Sequence, residues 1–175
     1  MNKQNVKIYD YFYSMVIRTS KLKVEISDEE KSKAIDDIFN DMDFEDINAI
    51  RTITHHRDIM NPSIWKGVDK KKIHKKYETA WKRMYYPQHI AIAVPWFYET
   101  EPYVIVEKPN FKLKEEDFDG KKYIITALNK SGIYYRYQLK KHLSLGWRYL
   151  WTIPGIGDGA KQTILTAIDH GLLNW

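Results

Sequence analysis

The run Trp151-Thr152-Ile153-Pro154-Gly155-Ile156-Gly157 constrains this chain more than any other stretch. Proline fixes φ and removes an N–H donor, while each glycine admits backbone angles that a Cβ forbids. Such a run makes a sharp turn, and Ile164, Leu165 and Ile168 follow it at helical spacing. A helix therefore opens directly after the turn, with Ile156 plugging it against the helix before. The first N–H groups of any helix have no intrahelical acceptor and carry the positive end of its dipole. Two glycines let an anion approach those groups closely, which suits a phosphate. Contacts of that kind hold a protein on a duplex without reading its sequence.

The rest of the chain reads as mainly helical. Ile8, Tyr11, Phe12, Met15 and Val16 predict a first amphipathic helix over 6–17. Ser27-Asp28-Glu29-Glu30 is a capping box, in which the Ser hydroxyl and the Glu carboxylate each satisfy a free N–H. A second helix follows over about 28–41, with Ala34, Ile35, Ile38 and Phe39 on one face. Asp43 caps a third, carrying Phe44, Ile47, Ile50, Ile53 and Thr54, which Asn61-Pro62 stops. Asp69 caps a fourth, whose stripe is Ile73, Tyr77, Ala80, Trp81 and Met84 and which ends at Pro87. The segments 89–98 and 103–108 are rich in β-branched and aromatic residues and predict a β hairpin or two short strands. Residues 110–120 are polar and form the expected linker. The expected fold class is thus mainly α with a small β element (α+β). A helical domain, with the hairpin near 89–108, spans 1–119, and a helix-hairpin-helix domain spans 120–175.

Charge is unevenly spread over the 175 residues, whose net charge is +5. Residues 66–83 hold eight Lys/Arg against Asp69 and Glu78, and 121–175 hold eight against Asp158 and Asp169. Two basic islands in an acidic background form an electrostatic footprint for a polyanion, although solvated helix faces are the plainer explanation of such runs. The aromatics are spread along the chain and are expected in core packing, not as a base-stacking platform. No cysteine is present, which removes disulfides and thiolate metal sites. No signal peptide or membrane span is read, so a cytoplasmic location is expected.

Ala127-Leu128, Ser131-Gly132-Ile133, Leu139, Leu143, Leu150, Ile153, Gly155-Ile156-Gly157, Ile164, Ile168 and Gly171-Leu172 occur in an informative order. In that order they resemble the C-terminal domain of the bacterial RNA polymerase α subunit, over about 50 residues. The resemblance implies a compact bundle of short helices that binds DNA across the minor groove and docks transcription factors. Family members place Lys or another polar residue after the hairpin and Arg in the first helix. Here Asp158, Gly159 and Ala160 follow Gly157, and Tyr123 stands near the Arg position. The backbone-binding set implied is Gly155, Ile156, Gly157, Gly159 and Lys161. Lys121, Lys122, Lys130, Arg136, Lys140, Lys141 and Arg148 would supply the surrounding positive charge. Asp69, Ile73, Ala80-Trp81, Lys82-Arg83 and Met84 also resemble the recognition helix of sigma-factor-type helix-turn-helix domains. That resemblance implies groove contacts by Lys71, Lys72, Lys75, Lys76, Lys82 and Arg83. Asn61-Pro62, however, lies where the preceding helix of that motif belongs.

Other sites fall away. Asp41-Met42-Asp43-Phe44-Glu45-Asp46 begins like a calcium loop but lacks Gly at its sixth place and Glu at its twelfth. Adjacent His55 and His56 point apart on a helix, and His74, His89, His142 and His170 show no His-x-x-x-His spacing. No assembled active site, cofactor or metal is expected. The leading expectation is a DNA-binding, transcription-related regulator. The alternative is an interaction module or inhibitor, of phage or mobile-element origin, that acts on RNA polymerase or another protein complex without touching nucleic acid.

Overall fold

The computed structural model describes residues 1–19, 24–57, 70–99 and 112–174. The chain divides into two compact units, Met1–Tyr85 and Tyr86–Trp175.

The first unit contains α1 (Lys3–Thr19), α2 (Asp28–Phe39), α3 (Phe44–Arg57) and α4 (Lys70–Met84). The capping box forms as its spacing requires: Glu30 N donates to Ser27 Oγ at 3.2 Å, and Ser27 N donates to a Glu30 carboxylate oxygen at 2.8 Å. Helix α1 packs on α2 and α3, and α3 packs on α4. Ile8, Phe12, Ile35, Ile38, Ile50, Ala80 and Met84 meet in the interior. Two phenols tie α1 to the end of α4. Tyr13 Oη donates to the Met84 carbonyl at 2.9 Å, and Tyr85 Oη donates to the Phe12 carbonyl. The cap expected from Asp69 and the stop at Asn61-Pro62 lie outside the described residues.

The second unit corrects the expected β element. His89 to Tyr98 forms no strand. It builds α5 (Pro87–Ala93) followed by a 3-10 turn, Pro95–Tyr98. Each piece starts on a proline, whose fixed φ suits the first turn of a helix. Beside Pro87 and His89, the buried residues are Ile90, Ala93, Val94 and Phe97, the last three at intervals of three, four and seven from Ile90, while Ala91 and Ile92 stay exposed. That is helical periodicity, and it outweighs the β-branched composition. The second expected strand, 103–108, lies outside the described residues. Among the described residues there are no strands, only an isolated bridge between Lys112 and Tyr135.

A 3-10 turn at Glu115–Phe118 leads into α6 (Lys122–Lys130) and α7 (Arg136–Leu143), then a 3-10 turn at Trp147–Thr152 and α8 (Asp158–Asp169). Phe118, Ile124, Leu128, Ile133, Leu139, Leu150, Ile153, Ile156 and Ile164 form one apolar cluster. Gln138 caps α7, its side-chain oxygen accepting from Tyr134 N at 2.7 Å and Tyr135 N at 3.1 Å. The compact unit begins at Tyr86, upstream of the 119/120 boundary expected from the polar linker. The Pro95–Tyr98 turn packs on α7, and Tyr98 Oη lies 2.7 Å from His142 Nδ1. No described helix is long and apolar enough to cross a membrane.

Candidate nucleic-acid interface

His142 fixes the entry to the glycine turn. It is fully buried, and burial pushes its pKa down from 6.5 to about 4. Its Nε2 lies 2.9 Å from the Tyr149 carbonyl and 3.2 Å from Thr152 Oγ1. A carbonyl only accepts, so Nε2 carries the hydrogen and Nδ1 accepts from Tyr98. Thr152 Oγ1 donates to the same carbonyl at 2.7 Å. The 3-10 turn is thereby held from inside, one residue before the apolar plug begins.

Ile153 and Ile156 are buried in the cluster, while Pro154, Gly155 and Gly157 are exposed. Ile156 N donates to the Ile153 carbonyl at 3.1 Å, which closes the turn. Gly155 sits at φ +86°, a conformation costly for any residue with a Cβ. A Cβ there would stand 3.2 Å from that of Ala127, so the turn lies directly against α6. Gly157 is extended and caps α8 without a side-chain bond. The first helical bond runs from Lys161 N to the Gly157 carbonyl at 2.9 Å. The N–H groups of Gly157, Asp158, Gly159 and Ala160 therefore have no acceptor among the described residues. The exposed Asp158 carboxylate does not fold back to cap them.

Two ammonium groups flank this helix start. Lys161 Nζ lies 3.4 Å from the centroid of the Trp151 ring. Lys121 Nζ donates to Thr163 Oγ1 at 2.7 Å, and Thr163 Oγ1 donates in turn to the Gly159 carbonyl at 3.0 Å. The other expected cations are dispersed. Arg136 Nη2 pairs with Asp117 at 2.6 Å, and Lys140 Nζ reaches the Leu173 carbonyl at 3.4 Å. Lys141 lies over the Phe97 ring, and Arg148 over the Tyr149 ring. Lys130 is exposed three residues beyond Ala127 on α6.

The basic helix of the first unit is partly neutralised by the start of α3. Arg83 pairs with Asp43 and Asp46, and Lys76 pairs with Glu45. Lys75 and Lys82 are exposed, while the side chains of Lys71 and Lys72 lie outside the described residues. The structure thus uses two of these cations to fasten α4 to α3. Asp43, which caps a helix in the sequence reading, is one of their partners.

Trp151 and His142 belong to the site environment, and the spacing arguments do not single them out. Lys161 and Trp151 are ten positions apart and meet only because the turn reverses the chain. No family model, no curated protein and no solved structure matches this chain.

Proposed function

We propose that the second unit binds the DNA backbone at the start of α8, in a regulatory, transcription-related role of the kind its family resemblance implies. One observation carries the reading: four consecutive N–H groups, Gly157 to Ala160, open at a glycine turn with no acceptor among the described residues. Oriented N–H groups at a helix start bind phosphate oxygens, and the Lys121 and Lys161 ammonium groups add charge beside them. No base edge need be read, so the affinity is largely independent of sequence.

Fluorescence anisotropy with a labelled duplex of about 20 base pairs tests this, at about 50 and about 200 mM salt. Binding is expected at the lower salt and weakens at the higher. A Lys121→Gln, Lys161→Gln variant is expected to bind about tenfold more weakly if each lost phosphate contact contributes about 0.7 kcal/mol. Absence of binding at the lower salt would overturn the reading. It would favour a protein partner instead, for which the Asp158 carboxylate beside the free amides is the supporting observation.

A further inference from the structure

We draw no further inference here: the strongest candidate, the cavity of about 300 Å³ between the Glu115–Phe118 turn and the C-terminal half of α8, rests on an acidic cluster of Glu116, Asp117 and Asp119 in which Asp117 is already paired with Arg136, and no second feature among the described residues points to a ligand.

Discussion

Acidification is expected to destabilise the second unit through His142. In the folded chain burial holds its pKa at about 4, against 6.5 when the ring is free in water. Above 6.5 the ring is neutral in both states, and its network with Tyr98, Tyr149 and Thr152 contributes fully. As pH falls below 6.5 the unfolded chain takes up a proton that the folded chain refuses, so stability is lost until the folded value is passed. Linkage makes the loss about 2 kcal/mol between pH 8 and pH 5, rising to about 3.4 kcal/mol well below pH 4. Urea unfolding of the wild type and of His142→Gln at several pH values isolates this contribution, because the amide does not titrate. The Gln variant is expected to be less stable at pH 8, since it cannot reproduce the ring packing, but its stability should fall with pH by about 2 kcal/mol less. The same pH dependence in both proteins would refute the reasoning, as would a His142 NMR titration with a midpoint near 6.5.

Two further perturbations bear on the scaffold. Gly155→Ala introduces about 1–2 kcal/mol of strain at positive φ, offset by about 0.4–1 kcal/mol from the stiffer unfolded chain. With the 3.2 Å approach to Ala127 added, a net loss of about 1–2 kcal/mol is expected, and an unchanged or raised urea midpoint would count against it. Arg83→Ala strands the Asp46 carboxylate, whose side chain is only 12% exposed, and is expected to cost the first unit about 1–2 kcal/mol. That difference should shrink at high salt when thermal unfolding is followed by circular dichroism.

What the sequence made legible was local. Ser27 and Glu30 are three residues apart, and their reciprocal bonds follow from that spacing alone. The apolar stripes of the first unit are legible in part for the same reason: Ile8, Phe12, Ile35, Ile38, Ala80 and Met84 are buried, whereas Tyr11 and Phe44, expected on the same faces, are exposed. In the segment His89 to Tyr98 composition and period point in different directions. Its β-branched residues suggest a strand, while Ile90, Ala93, Val94 and Phe97 stand at helical intervals, Pro87 and Pro95 each opening a helical piece. The start of the second unit was hidden for a different reason. Tyr98 and His142 are 44 positions apart, and no window of sequence shows that one hydroxyl will meet the other ring.

The same locality bears on how many cations of the basic islands the proposed interface would use. Eight cations in 121–175 count equally in a sequence, but the folded chain gives most of them a neighbour. Arg136 is paired with Asp117, Lys140 lies against the Leu173 carbonyl, and Lys141 and Arg148 lie over aromatic rings. Lys121 and Lys161 are the pair held beside the open amides. Each neutralised phosphate contributes about −0.9 to the log-log salt slope, so two phosphates give about −2, where six would give about −5. Between about 50 and about 200 mM salt, the first slope weakens binding about fifteenfold and the second about a thousandfold. The salt titration therefore counts the participating cations as well as detecting binding. A slope near −5 would show that the dispersed lysines, or the α4 cations now fastened to α3, leave their partners to meet DNA.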